Sequence, residues 1–208
     1  NLLNDDYFSL KSVVAVFGIL ALMTLSCTVS LGQPAPTPMP TVPAYDWLLN
    51  AEPFPERWQA DPCDPDCERA ERPHNALRTF GIVNVPGHVI QQVFYFGSER
   101  SAEAKFRRYE ETDLTEIAPT ARAPFNPFRP PPEITYRSPI ANEQYLGCGV
   151  DVVSGCRAGL RYENYFVYFY FSIEGERGSG LKIEEVEPIL RAIDERAGEL
   201  LGISRPDQ

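Results

Sequence analysis

Five cysteines are the residues whose spacing points most directly to chemistry. Four of them form two close pairs: three residues separate Cys63 from Cys67, and seven separate Cys148 from Cys156. An even number of cysteines in a domain outside the cytoplasm favours disulfides, and of the three possible pairings the short separations favour Cys63–Cys67 and Cys148–Cys156. The alternative is a zinc site, but a seven-residue gap is not typical of zinc ligands. We therefore expect two local disulfides.

An acidic run from Asp61 to Glu68 contains the first cysteine pair and offers carboxylates at a spacing that a hard cation such as calcium accepts. The run lacks the glycine that an EF-hand loop requires, so a solvated acidic loop is the alternative that we favour. The two histidines, His74 and His88, stand in no metal-binding motif. We expect neither a metal nor a cofactor.

The sequence carries no recognisable catalytic signature. It has no phosphate-binding glycine loop, no dinucleotide fingerprint, no haem-attachment motif and no Gly-x-Ser-x-Gly nucleophile elbow. We therefore expect a protein that is not an enzyme, and an exported enzyme of unknown type is the third-ranked alternative.

The elements that must position these residues begin with an uncharged apolar run from Ser12 to Leu31. About 20 helical residues span the roughly 30 Å core of a bilayer. Lys11 precedes the run and the next charged residue is Asp46, so the positive-inside tendency favours a cytoplasmic N-terminal side. We expect residues 1–32 to form a membrane anchor that places the rest of the chain on the extracytoplasmic side.

Residues Met23 to Cys27 read Met-Thr-Leu-Ser-Cys and resemble the lipobox of bacterial lipoproteins. The resemblance implies cleavage before Cys27 and lipidation of its sulfur, although Thr24 stands where that family prefers leucine or valine. The alternative is a retained transmembrane helix in which Cys27 is an ordinary thiol. Both alternatives place the domain in the periplasm or at the cell surface.

Proline alternates with other residues from position 33 to position 43, which predicts a stiff polyproline II spacer of about 3.1 Å per residue. The alternative for this segment is a ligand for a partner's groove. Residues 44–208 then form the extracytoplasmic domain. The net charge of −10 makes nucleic acid an improbable partner, because the phosphates would be repelled.

Periodicity within residues 44–208 predicts two helices and several strands. Apolar alternation predicts strands at residues 79–85 and 89–96, with a turn at Pro86-Gly87. Further strands are expected at residues 133–137, 142–146 and 160–173, the last being the strongest. A helix is expected at residues 101–111 with Ser101 as its cap, and an amphipathic helix that begins near residues 184–187 should bury Leu190 and Ile193.

This order of elements predicts an α+β fold: an antiparallel sheet with two helices on one face. A cysteine-bracketed loop, a long strand and a final amphipathic helix resemble the layout of small exported sensor and lipoprotein domains of bacteria. The resemblance concerns layout only and implies no functional residues.

Two aromatic regions are candidates for contact with a partner. The proline-rich segment 123–132 contains Phe125, Phe128 and Arg129, which are residue types that carry interface energy. Tyr168 and Tyr170 share one face of the long strand; that face is either covered by the irregular segment 44–75 or exposed as a partner surface.

We therefore expect a non-catalytic accessory subunit of a larger integral-membrane complex, with an electron-transfer complex of an energy-transducing membrane as one such assembly. Its partners would be integral-membrane protein subunits. The second-ranked alternative is a free-standing lipoprotein whose domain binds a small ligand or signal.

Overall fold

The computed structural model describes residues 37–60, 73–114, 126–150, 154–173 and 180–203, all of which belong to one compact unit that begins at Thr37. Within these ranges no helix combines the length and the hydropathy that crossing a bilayer requires. The predicted anchor at residues 1–32, with Cys27, lies outside the described residues.

The centre of the fold is a sheet of seven antiparallel strands in the order β1-β2-β3-β7-β6-β5-β4. The sheet places β7 between β3 and β6, so the last of the described strands is central and is paired along both edges. The strands are β1 (Gln59–Ala60), β2 (Asn75–Ile82), β3 (Val85–Tyr95), β4 (Asn126–Arg129), β5 (Glu143–Val150), β6 (Ser154–Tyr162) and β7 (Tyr165–Ser172).

The strongest predicted strand, residues 160–173, is wrong as a single strand, because it is the end of β6 followed by all of β7. The chain reverses at Glu163, whose φ of 49° is left-handed, and the side chain of Asn142 accepts a hydrogen bond from the Glu163 amide at 2.6 Å. Apolar alternation continues on both sides of this two-residue turn and therefore hides it. The predicted strand at residues 133–137 is also absent, since no strand occupies that described segment.

The first hairpin forms as predicted, but its turn lies earlier. The turn is at Val83 and Asn84, with φ of 62° at Asn84, and Pro86-Gly87 belongs to β3. Asparagine tolerates the left-handed conformation better than most residues, so the turn forms there.

The described residues also form two α-helices, α1 (Glu99–Leu114) between β3 and β4 and α2 (Val186–Leu201) after β7. The cap of α1 is Ser98 rather than Ser101, because the Ser98 hydroxyl accepts a hydrogen bond from the Ser101 amide at 3.3 Å. The predicted start of α2 is confirmed, with Pro188 in its first turn, where proline is tolerated.

The two helices pack on opposite faces of the sheet, so the prediction that they share one face is wrong. Phe106 of α1 belongs to a cluster with Phe166 of β7, whereas Ile189 of α2 belongs to the cluster that contains Phe169. Neighbouring residues of a strand point to opposite faces, so Phe166 and Phe169 lie on different sides. We call these sides the α1 face and the α2 face.

The α2 face is closed by two layers of structure. Leu190 and Ile193 are buried against it as predicted, at 0% and 2% exposure. The segment that precedes β1 packs there as well, with the Trp47 ring stacked 4.4 Å from the ring of Tyr165. Coverage of Tyr168 and Tyr170 by this segment was one of two predicted alternatives, the other being exposure, but the described part of the segment packs in the cluster on the opposite face.

The described end of the proline-rich segment lies on the domain. The carbonyl of Pro38 is 3.0 Å from His74 Nε2, and Tyr165 donates its hydroxyl proton to the carbonyl of Val42 at 2.7 Å. A methyl group on Gly97 would lie 2.7 Å from the Pro38 ring, so this contact requires glycine. Residues 37–43 are therefore part of the compact unit.

Candidate functional site

The α1 face is covered over only part of its width. Phe106 and Tyr109 of α1 pack edge-on against Phe166, with ring centroids 5.9 and 5.2 Å apart, and Tyr109 reaches Phe94 of β3 at 6.2 Å. The helix then crosses towards β5 and leaves a corner formed by β2, β3 and the end of β7. We call this corner, together with the β2–β3 turn, the hairpin surface. Leu77, His88, Ile90 and Tyr170 belong to the corner. Val83 and Val85 belong to the turn, where Val85 lies opposite Ile82 on the α2 side of the hairpin.

Three apolar side chains on the hairpin surface are more exposed than the other apolar side chains of the sheet whose exposure the structure describes. Val83 is 63% exposed, Leu77 44% and Val85 37%, whereas Val89 and Val93, which point to the α2 face from the same hairpin, are fully buried. Ile90 lies directly between Thr79 and Tyr170 in the sheet register and is half-buried. The His88 ring lies 5.6 Å from that of Tyr170.

The hairpin carries no acidic residue, although the chain has 29. Residues 73–98 contain neither aspartate nor glutamate, and their only arginine or lysine is Arg78. Arg78 donates to the carbonyl of Leu49 at 2.7 Å, and Leu49 belongs to the cluster on the α2 face. The hairpin surface is therefore apolar and close to neutral.

A second surface feature is a cleft of about 640 Å³ between the segment before β1 and the outer side of α2. Two arginines contribute to its walls through backbone contacts: Arg78 donates to the Leu49 carbonyl, and Arg196 donates to that of Asp46 at 2.8 Å. Carboxylates outnumber them. The cleft is lined by Tyr45, Asp46, Leu48, Leu49, Asn50, Glu52, Pro53, Arg78, Ala192, Glu195, Arg196 and Glu199.

A buried polar cluster joins the end of α1 to the sheet. Asp113 accepts a hydrogen bond from the Tyr145 hydroxyl at 2.6 Å and pairs with the Arg157 guanidinium at 3.0 Å. Burial raises the pKa of the Asp113 carboxyl above its ordinary value, and the contacts with Tyr145 and Arg157 oppose that rise only in part. Burial, followed by the charge of Asp113, also raises the pKa of the Tyr145 hydroxyl. The cluster therefore fixes α1 on the sheet.

A second buried carboxylate ties α2 to the sheet. Asp194 is fully buried and accepts hydrogen bonds from Tyr162 at 2.5 Å, from Ser138 at 2.6 Å and from Tyr136. Burial, followed by the Asp194 charge, raises the pKa of the Tyr162 hydroxyl well above its ordinary value. No substrate can reach a fully buried carboxylate, so we assign Asp194 a structural role.

The structure separates the predicted partner-binding residues. Phe128 is 8% exposed and lies under the Arg157 guanidinium, 4.6 Å from it, while Arg129 is exposed. Both belong to β4, so part of the predicted loop is a strand. Phe125 lies outside the described residues.

The tyrosine face is divided between the two parts of the α1 face. Tyr168 packs against Tyr109 of α1, with ring centroids 5.0 Å apart, and burial raises the pKa of its hydroxyl. Tyr170 is half-buried and lies on the hairpin surface beside His88. Of the two predicted tyrosines, only Tyr170 therefore contributes to this surface.

The predicted disulfide between Cys148 and Cys156 is confirmed. The two residues are directly opposite each other in the register of β5 and β6, which brings their sulfur atoms together. Cys63 and Cys67, with the acidic run around them, lie outside the described residues.

Of the hairpin surface, sequence reasoning singled out only Tyr170, and it did not single out the two buried carboxylates. The sequence signal for the hairpin surface was the absence of acidic residues from positions 73–98 of an acidic chain. For Asp194 the signal was an acidic residue one position after Ile193, beside the apolar stripe of α2. Comparisons with protein-family models, with curated proteins and with solved structures found no match to this chain.

Proposed function

We propose that this domain is a non-catalytic docking module that serves as an accessory subunit of a larger membrane-associated assembly. The observation that carries the proposal is the hairpin surface, where α1 leaves apolar side chains of β2, β3 and β7 uncovered. Neighbouring subunits contact the domain there, and the assembly includes integral-membrane proteins held near it by the anchor expected at residues 1–32.

The composition of the hairpin surface supports this proposal. An antiparallel sheet with one open face normally presents polar side chains to water, because apolar ones gain nothing from exposure. Here Leu77, Val83 and Val85 are exposed, and half of the large exposed apolar residues of the described chain lie on this one hairpin. Burying apolar area yields roughly 25 cal/mol per Å², so these side chains favour association.

The Cys148–Cys156 disulfide supports the extracytoplasmic location, because disulfides persist mainly in oxidising compartments. The lipid attachment at Cys27 and the transmembrane helix remain alternative forms of the proposed anchor. The expectation of an electron-transfer complex gains no support from the described residues.

The test is the size of the particle that contains this protein in a mild-detergent extract of its native membrane. We expect the wild-type chain to sediment as part of a particle larger than two chains and Leu77→Glu to sediment as a smaller one. Ile203→Glu is the matched control, because Ile203 is 36% exposed at the end of α2, away from the hairpin. Equal particle sizes for wild type and Leu77→Glu would contradict the proposal.

A second candidate function, binding of a small ligand, is favoured by the cleft beside α2. Its four carboxylates and two guanidiniums suit a ligand with more positive than negative charge. Spermidine should therefore raise the melting temperature of the wild-type protein more than citrate does. The effect should weaken in Glu199→Gln but not in Glu103→Gln, whose exposed side chain lies on α1. Equal shifts with both probes would remove this candidate.

A further inference from the structure

The exposed positions of the hairpin differ in chemistry from those of the two helices. The helices expose mainly charged side chains, such as Glu103 and Arg107 on α1 and Glu195 on α2. The exposed hairpin positions carry no carboxylate, lysine or arginine. They are Asn75, Leu77, Val83, Asn84, Val85 and His88.

This difference restricts which molecules can approach the hairpin surface closely. The chain has a net charge of −10, so two copies repel each other at low ionic strength. Contact through the helices would bring carboxylates of the two copies together and remove them from water. Removing a carboxylate from water costs free energy unless the carboxylate pairs with a cation. Contact through the hairpin surfaces would bury apolar and neutral groups on both sides.

We propose that the occupant of the hairpin surface is a second copy of this chain, so that the protein enters its assembly as a two-fold symmetric dimer. This inference rests on the proposed function, because it takes the hairpin surface to be an interface. In a two-fold dimer the same patch contributes both halves, and a patch without net charge is compatible with itself.

Charge favours a second copy over two other occupants. A basic partner protein would gain from contact with carboxylates, which are abundant on this chain but absent from residues 73–98. An anionic bilayer surface attracts clusters of lysine and arginine, whereas the exposed hairpin positions offer only His88. In a two-fold dimer the hairpin meets the same uncharged hairpin of the second copy, so the contact itself contains no carboxylate from either acidic chain.

The test is the mass of the purified full-length chain in detergent, with no other protein present, measured by native mass spectrometry and by sedimentation over a range of concentrations. We expect the mass of two chains for the wild type. Leu77→Glu and Val85→Glu should each raise the dimer dissociation constant by about tenfold or more, because each places a carboxylate in an apolar contact. Ile203→Glu should leave it unchanged.

Ionic strength provides a second readout that distinguishes this interface from one built on ion pairs. Raising the salt concentration shortens the screening length from about 10 Å at 0.1 M and weakens repulsion between the two acidic copies. The dimer should therefore become tighter with added salt, and a dimer that dissociates with added salt would contradict the inference.

The remaining outcomes separate this inference from the proposed function. A purified chain that is monomeric at all concentrations, together with a membrane particle that shrinks in Leu77→Glu, would refute the second copy and leave the docking proposal standing. If neither hairpin substitution changes the dimer dissociation constant, the interface lies elsewhere and the inference is refuted. If neither the purified chain nor the membrane particle responds to Leu77→Glu, both proposals fail. Melting temperatures near that of the wild type show that the variants are folded.

Discussion

The two faces of the sheet are made by the same strands but are completed differently. On the α2 face, Val89, Val93 and Phe169 are fully buried beneath a helix and the segment before β1. On the α1 face, a single helix covers β5, β6 and part of β7, whereas β2 keeps the exposed Leu77 and β3 keeps the half-buried Ile90. One hairpin therefore contributes side chains to a closed core and to an open surface at the same time.

The difference shows that apolar side chains of one sheet have two separable roles. Those on the α2 face stabilise the folded chain by leaving water. Those on the hairpin surface are still in water after folding, so they contribute little to the free energy of unfolding and remain available for association. Substitutions of one residue type on the two faces should separate stability from association.

The largest effect should come from the closed face, where Leu190 of α2 is fully buried. Leu190→Ala should lower the free energy of unfolding by about 2–5 kcal/mol, because it removes buried methyl groups and leaves a cavity against the sheet. Urea unfolding followed by circular dichroism measures this loss. A loss below about 1 kcal/mol would mean that α2 does not close this face as described.

The sequence predicted α2 well because one stripe of apolar residues is enough to define an amphipathic helix. The same reasoning could not predict which face of the sheet each helix covers. Phe166 and Phe169 have the same chemistry, and they lie on different faces only because one is at an even and the other at an odd position of the strand. The sequence also did not predict whether a given aromatic residue is exposed or buried. Phe128 is 8% exposed, and Arg157, from a distant part of the chain, lies over its ring.

The next effect concerns how α1 is held on the more open face. Tyr145→Phe removes the hydroxyl that donates to Asp113 at 2.6 Å and leaves that buried carboxylate with one fewer donor. The free energy of unfolding should fall by about 1–3 kcal/mol, measured by the same urea titration. Tyr45→Phe is the control, because Tyr45 is 43% exposed and lines the cleft beside α2 rather than the Asp113 cluster. Equal losses for the two variants would show that the cluster does not fix α1.

The Asp113 cluster should also produce a dependence of stability on pH. Burial raises the pKa of Asp113 in the folded protein above its ordinary value of 3.8, so the folded state holds this proton to higher pH than the unfolded state does. Stability contributed by this group is therefore complete below pH 3.8 and is lost as pH rises through the raised pKa.

Asp113→Asn removes the titrating group and retains an oxygen that can accept the hydrogen bond from Tyr145. The wild type should lose more stability than this variant when the pH is raised from 3.8 towards neutrality, because only the wild type must then release the buried proton. Urea titrations of both proteins across that range measure the difference. Parallel pH profiles, or a steeper loss in the variant, would show that Asp113 is not responsible.

The smallest expected change in stability is at Leu77, and it tests the comparison most directly because the substitution is the same as at Leu190. Leu77 is 44% exposed on the hairpin surface, so Leu77→Ala should change the free energy of unfolding by no more than about 0.5 kcal/mol.

The same variant should still weaken dimerisation, since an apolar side chain that folding leaves in water would be covered only in the dimer. Stability is measured at a protein concentration at which the chain is monomeric, because dimerisation itself adds to apparent stability. A loss at Leu77 as large as that at Leu190 would show that Leu77 is covered within its own chain, and the distinction between a closed and an open face would fail.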